Sequence, residues 1–402
     1  MKYVILLCDG MADDPIESLG GRTPMDAAHN PSMNWLAQTA QVGMVRTVPE
    51  GMTPGSDVAN LSVLGYDPGE VYTGRSPLEA ASMGVELSEQ DLAMRCNLVT
   101  LSGDGSFEDK TMADYCAGDI STAEAAQLIQ AVQEELGGSG VEFHAGVSYR
   151  HCLVCRDGWE DLGVFTPPHD ISGKRIGEYL NPHPAARPYI EMMRRSTDIL
   201  EHHPVNLARI ERGEKPANAI WFWGQGNRPA LRDFTEKTGL KGSMVSAVDL
   251  LKGIARCAGM RVVEVEGATG YIDTNFYGKA VAAAEELKQG QDFVYVHVEA
   301  PDECGHRGEV ETKVRAIEMI DQFLLKPLLS ELEQYDDYRI LILPDHPTPL
   351  YTKTHSGEPV PFLLYQKTHP CLGVPSFHEE QAKKTGVFVS PGHILIDRLI
   401  LK

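Results

Sequence analysis

Short runs of unbroken apolar residues, each closed by a polar residue or glycine, constrain this chain more than any other feature. They are YVILLCDG at 3–10, NAIWFWGQG at 218–226, VVEVEGATG at 262–270, FVYVHVEAPDE at 293–303 and RILILPDH at 339–346. Apolar character that is continuous rather than alternating means a strand covered on both faces, as in a parallel sheet packed between helices. Helical patterns precede the last three runs: AVDLLKGIARCAG, KAVAAAEELKQG and KVRAIEMIDQFLLKPLLSELEQY. Strand and helix in alternation predict a doubly wound α/β fold. The segment from about 85 to 230 differs, with shorter, more alternating runs such as CNLVTLSG and VEFHAGVSYRHCLVC and a loop rich in Pro and His. It reads as an α+β unit with an antiparallel sheet. The expected organisation is a core of residues 1–82 and 236–402 with a smaller domain, 83–235, inserted in it.

Composition narrows the function classes. A net charge of -21, with 57 acidic against 36 basic residues, excludes a nucleic-acid backbone as partner. No apolar run approaches the roughly 20 residues that span a bilayer, and MKYVILLCDG reads as a buried first strand rather than a signal peptide. The eight cysteines are scattered, and the one CxxC, Cys152 and Cys155, has no second pair to complete a zinc site. Reduced thiols and the lack of a signal peptide predict a cytoplasmic protein with no membrane partner. A homo-oligomer is compatible with the sequence, which does not specify one.

In open α/β sheets, ligands gather beyond the carboxyl ends of the strands. Here that edge collects Asp9, Asp302, His306, Asp345 and His346, with His355 following in THSGEP. Each alone reads as a cap or turn residue. Together, three Asp and three His are too many for one ion and suit two. Mixed carboxylate and imidazole donors suit Mn or Zn, whereas Mg prefers more oxygen and water. Paired cations about 3.5–4 Å apart are what phosphoryl transfer uses to hold attacking and leaving oxygens. A nucleophile is then needed. In TPGSDVANLSVL, Ser56 precedes a helical pattern. It reads either as an N-cap or as a nucleophile whose phosphoryl group the helix start stabilises, and the ligand cluster favours the nucleophile.

The segments CDGMAD, TPGSDVANLSVLGYDP, VEGATGYIDTN, HVEAPDECGH and LPDHPTP together resemble the archaeal-type cofactor-independent phosphoglycerate mutases, in the alkaline-phosphatase superfamily, from residue 3 to about 363. The resemblance implies an alkaline-phosphatase-like core with an inserted domain that closes over a small phosphorylated substrate. It implies two divalent cations and no 2,3-bisphosphoglycerate: Mn is favoured, with Mg, Zn and Co compatible. One cation would be held by Asp302, His306 and His355, the other by Asp9, Ser56, Asp345 and His346. Ser56 would carry the phosphoryl group between 3-phosphoglycerate and 2-phosphoglycerate. In the inserted domain, His169 and Asp170 become candidates for proton transfer, and Arg75, Arg150, His151, Trp223 and Gln225 candidates for binding substrate. The WGQG of residues 223–226 also resembles a sister group proposed as homoserine kinases, which makes an ATP-dependent phosphotransferase the alternative. No Walker-type phosphate loop is present for that reading.

Overall fold

The structure, a computed structural model, describes residues 1–400. The chain divides into two compact units, Met1–Tyr72 with the chain from Leu231 on, and Thr73–Ala230. The first unit is built on an eight-stranded sheet. Across it run Phe388–Val389, Gln41–Val45, Val360–Gln366, Tyr338–Leu343, Lys2–Cys8, Phe293–Val298, Gly242–Val245 and Arg261–Val263.

Lys2–Cys8 pairs in parallel with both Phe293–Val298 and Tyr338–Leu343, with Cys8 opposite Val298 and Leu7 opposite Leu343. The three strands therefore end at one edge of the sheet, and the residues after them are brought together there. Val360–Gln366 runs antiparallel to both its neighbours, so the sheet is mixed but mostly parallel. The α/β class expected from the apolar runs is the one observed.

Side chains alternate across the central strands. Val4, Leu6 and Cys8 share a buried cluster with Val294, Val296, Val298, Ile340 and Ile342, and with helix Phe276–Lys288 and the helical stretch 310–332. Burying each such branched side chain contributes roughly 1.5–3 kcal/mol, and most of these are fully sealed. Tyr295 and His297 alternate with Val294, Val296 and Val298 and so point to the opposite face. The stretch 310–332 is not one regular helix: π-helical turns at Ile320–Leu325 join Val310–Met319 to Lys326–Leu332. The π turns lead into Pro327, whose ring and missing N–H disturb the regular ladder behind it.

In the second unit the long strand Leu92–Ser102 pairs antiparallel with Arg150–Cys155, Ala219–Gly226 and Thr111–Asp114, and Val141–His144 joins Arg150–Cys155. The apolar run at 218–226 thus belongs to this antiparallel sheet, not to a parallel one. Its unbroken apolar character arises because both faces are covered. Phe222 packs on Phe143 and Tyr189, with its N–H directed to Met193 Sδ, while the Trp221 indole N–H donates to the Thr166 carbonyl. The run at 262–270 also departs from expectation: only Arg261–Val263 is a strand, at the sheet edge, and the chain then turns through Gly267. All eight cysteines are unpaired, and six are buried. No helix among the described residues is long and apolar enough to cross a membrane.

Candidate active site

The parallel strands deliver their terminal residues to one place in the first unit. The Asp9 N–H continues the ladder to the Val298 carbonyl at 2.9 Å. Gly10, at φ 60°, then turns the chain against Asp302, where an added Cβ would lie 2.6 Å from the Asp302 Cα. Helix Ala300–Arg307 puts Asp302 in its first turn and His306 four residues on, on the same face. His306 Nε2 is 3.2 Å from Asp302 Oδ2, His355 Nε2 is 3.6 Å from Asp302 Oδ1, and the two imidazole Nε2 atoms are 3.0 Å apart. Asp345 Oδ1 accepts from the N–H groups of Gly10 at 3.1 Å and His346 at 2.9 Å. His346 Nε2 lies 3.3 Å from Asp345 Oδ2 and 3.7 Å from Asp9 Oδ1.

Ser56 completes the group. It is the first residue of helix Ser56–Val63, with Gly55 in the N-cap position and no side-chain cap. The N-cap reading of Ser56 therefore does not hold. Its hydroxyl instead makes a hydrogen bond with His346 Nε2 at 3.1 Å. The six residues proposed from the strand-end pattern and Ser56 meet here.

The charge of the cluster calls for cations. Asp9 and Asp345 are sealed from solvent and answered by imidazoles rather than by Lys or Arg. Burial, then repulsion from Asp345 and Asp302, raises the Asp9 carboxyl well above its usual range, and its Oδ1 is buried with no hydrogen-bond partner. An orphaned carboxylate oxygen among like charges is the environment a bound cation relieves. Burial also raises Asp302, but hydrogen bonds from His306 and His355 outweigh it and hold that carboxyl well below its usual range. Burial lowers His346, which keeps it neutral, the form that ligates. The hydrogen bond to Asp302 lifts His306 to about 9. Two triads bring one ligand atom each within 4.8 Å of one another: Asp302, His346 and His355, and Asp9, Asp345 and His346. The donor set fits a hard or borderline divalent cation.

Sequence reasoning missed the residues that orient these ligands. Asn60, one helical turn after Ser56, donates to the Ser56 carbonyl at 2.7 Å and to Asp345 Oδ2 at 3.0 Å, and accepts from the Tyr295 hydroxyl at 2.5 Å. His297 Nε2 pairs with Asp9 Oδ2 at 2.9 Å, and its Nδ1 with the Ser246 hydroxyl at 3.2 Å. The Thr348 hydroxyl donates to Asp302, and its carbonyl accepts from the buried Lys313 ammonium at 2.8 Å. Lys313 is itself paired with Asp13 at 2.8 Å. Two signals were available: a polar Asn at i+4 from the serine, and a His inside an otherwise apolar strand.

The remaining candidates belong to the second unit. His169 lies edge-on to Trp223, with ring centroids 5.2 Å apart, and its Nε2 is 3.7 Å from Asp170 Oδ1. The Trp223 indole N–H donates to Asn97 Oδ1 at 3.0 Å, and the Gln225 amide donates to the Gly163 carbonyl. Arg75 is half-exposed and pairs with Glu79 at 2.9 Å, and Arg150 is exposed, 5.6 Å from the Tyr149 ring. His151 is buried, accepts from the Gly146 N–H at 3.0 Å, and is pushed down to about 3 by burial. Arg95, which the sequence reading passed over, stacks at 4.3 Å from the Trp223 ring centroid.

Comparison with known proteins bears on both units. A family model described as 2,3-bisphosphoglycerate-independent phosphoglycerate mutase matches residues 37–206. A probable 2,3-bisphosphoglycerate-independent phosphoglycerate mutase of Geobacter sulfurreducens is 51% identical over 401 residues, covering 100% of both chains. The 2,3-bisphosphoglycerate-independent phosphoglycerate mutase of Methanosarcina barkeri is 48% identical, covering 100% of this chain and 99% of its own. Among solved structures, the cofactor-independent phosphoglycerate mutase of Thermoplasma acidophilum aligns with a TM-score of 0.70 at 28% identity, over 100% of this chain and 99% of that one.

Proposed function

The chain belongs to the 2,3-bisphosphoglycerate-independent phosphoglycerate mutase family, and on that premise we propose that it interconverts 3-phosphoglycerate and 2-phosphoglycerate, a step of glycolysis, through a phosphoserine at Ser56. The observation that carries the reading is the Ser56 hydroxyl at a helix start, 3.1 Å from His346 Nε2 in a cluster of buried carboxylates and imidazoles.

Asp302, His306 and His355 would hold one divalent cation, and Asp9, Ser56, Asp345 and His346 the other; the donor set suits Mn or Zn, and the family resemblance favours Mn. When bound, the cations supply positive charge for the phosphoryl oxygens and for the attacking and leaving oxygens. The chain's own residues do the rest. Ser56 Oγ gives up its proton and attacks phosphorus, the bond from phosphorus to the 3-oxygen of the substrate breaks, and that oxygen leaves with the electron pair and takes up a proton. In the second half, the 2-hydroxyl of glycerate loses its proton and attacks phosphorus, and the bond to Ser56 Oγ breaks, that oxygen keeping the electron pair and regaining a proton. Asn60 fixes the helix start against Asp345 throughout, through hydrogen bonds of 2.7 and 3.0 Å.

His169 and Asp170 are proposed as the groups that give and take the substrate proton. Arg75, Arg150, His151, Trp223 and Gln225 are proposed to bind substrate. The kinase alternative leaned on Trp223 and Gln225. Both side chains make hydrogen bonds within their own unit, to Asn97 and to the Gly163 carbonyl, which gives the kinase alternative no support of its own.

The test is to incubate Mn-loaded protein with 3-phosphoglycerate, and separately with ATP and L-homoserine. Formation of 2-phosphoglycerate, lost in Ser56→Ala, is expected. ATP consumption that requires homoserine, with no isomerisation, would overturn the reading in favour of the kinase.

A further inference from the structure

Arg95 lies on the strand Leu92–Ser102 and keeps only 12% of its side chain exposed. Its Nε donates to Glu79 Oε2 at 2.8 Å, and the other Glu79 oxygen accepts from Arg75 Nε at 2.9 Å. The guanidinium face rests on Trp223, whose indole is held in turn by Asn97. Even the backbone is fixed: the Ser76 hydroxyl accepts from the Arg95 N–H at 2.9 Å and donates to the Gly224 carbonyl. One edge and one face of the guanidinium are thereby immobilised.

The Nη1 and Nη2 atoms make no hydrogen bond to any described residue, and neither is sealed from solvent. These two donors are therefore open to solvent and available to a ligand, while the rest of the side chain is buried and held. Charge points the same way. Arg75 and Arg150 are near enough to repel Arg95, and among the described residues Glu79 is the carboxylate that Arg95 pairs with. A planar fork that is already oriented, with positive charge in excess around it, suits a carboxylate or phosphate group bound through two parallel hydrogen bonds.

We infer that Arg95 is an oxyanion-binding residue of the second unit, with Trp223 as the platform that orients it, and that its ligand is an anionic group of the phosphoglycerate substrate. The inference rests on the mutase reading for the identity of the ligand. It adds to that reading a residue that neither the strand-end pattern nor the family motifs pointed to.

The experiment is calorimetric and fluorescence titration of the full-length protein with 3-phosphoglycerate, D-glycerate and glycerol phosphate. In Arg95→Lys, which keeps the charge but loses the fork, 3-phosphoglycerate should bind about tenfold to hundredfold more weakly. An equal loss with D-glycerate identifies the carboxylate as the group held, and a loss with glycerol phosphate identifies the phosphate. Glu79→Gln, which keeps an acceptor for the Arg95 Nε–H but removes the negative charge beside it, should leave binding of these anions equal or tighter, and it tests the idea even if Arg95→Lys fails to fold. Unchanged binding of all three ligands in a folded Arg95→Lys, or weaker binding in Glu79→Gln, overturns the assignment. Wild-type protein that binds 3-phosphoglycerate without isomerising it would sink the mutase reading and leave the Arg95 assignment standing.

Discussion

Loading the cluster with a divalent cation should release a proton from His306, by an amount the geometry sets. His306 Nε2 faces Asp302 Oδ2 at 3.2 Å, and that hydrogen bond, partly opposed by burial, raises the imidazolium from 6.5 to about 9. Imidazole ligates only when neutral, so a cation held by His306 must displace that proton. At about pH 7.5 the group is almost fully protonated, and binding should release close to one proton from this residue. Affinity should then climb by nearly tenfold per pH unit from about pH 7 and level off above about pH 9. Mn titrations of EDTA-treated protein, in buffers of differing ionisation enthalpy, give the proton count directly. His306→Gln should lower it by about one. An identical count in the variant, or an affinity flat between about pH 7 and 9, would refute the reasoning. Stability of the metal-free protein should move the other way. Because the folded value is raised, the stabilisation is fully present below 6.5 and is lost as pH rises through about 9. Roughly a third of this side chain is exposed, so the effect is about 1 kcal/mol after screening rather than the full value of the shift.

Two further predictions probe the supports of the cluster. Lys313→Met leaves the Asp13 carboxylate buried without its 2.8 Å partner and should cost about 3–5 kcal/mol, most of it recovered by the double variant Lys313→Met/Asp13→Asn. Urea unfolding of metal-free protein measures both, and a single-variant loss under about 1 kcal/mol would contradict a coupled pair. Gly10→Ala combines a strained backbone at φ 60° with a Cβ driven to 2.6 Å from Asp302 Oδ1, and should weaken cation binding about tenfold or more. Wild-type affinity in that variant would show that the close approach of Gly10 to Asp302 does not matter.

What was legible in the sequence follows from topology. Three apolar runs paired in parallel must end at one edge, so the sequence alone groups Asp9, Asp302 and Asp345. His306 joined them because it follows the same strand closely, and the helix Ala300–Arg307 then sets it four residues after Asp302. The strand Ala219–Gly226 misled because continuous apolar character reports two covered faces, not the direction of the neighbours. Here helix Arg187–Leu200 and the irregular segment around Thr166 cover an antiparallel strand. Gln41–Val45, Gly242–Val245 and Phe388–Val389 were not singled out because each is too short to give a periodic signal. Arg95 was hidden for a related reason, being a charged residue inside an apolar strand whose partners, Glu79 and Trp223, come from distant parts of the chain.

The residues that escaped sequence reasoning are the ones that decide how the ligands point. Asn60 joins Tyr295, 235 residues away, to Asp345, 285 residues away, and His297 reaches Asp9 across 288. Such contacts leave no local spacing, because they form only when alternate side chains of Phe293–Val298 meet the helix that begins at Ser56. That alternation divides the labour of one strand. Val294, Val296 and Val298 serve the apolar core, while Tyr295 and His297 serve the cluster from the other face. The strand that stabilises the sheet is thus also the strand that orients the nucleophile and a buried carboxylate. Shifting its register by one residue would exchange the two sets of side chains and cost the fold and the site together.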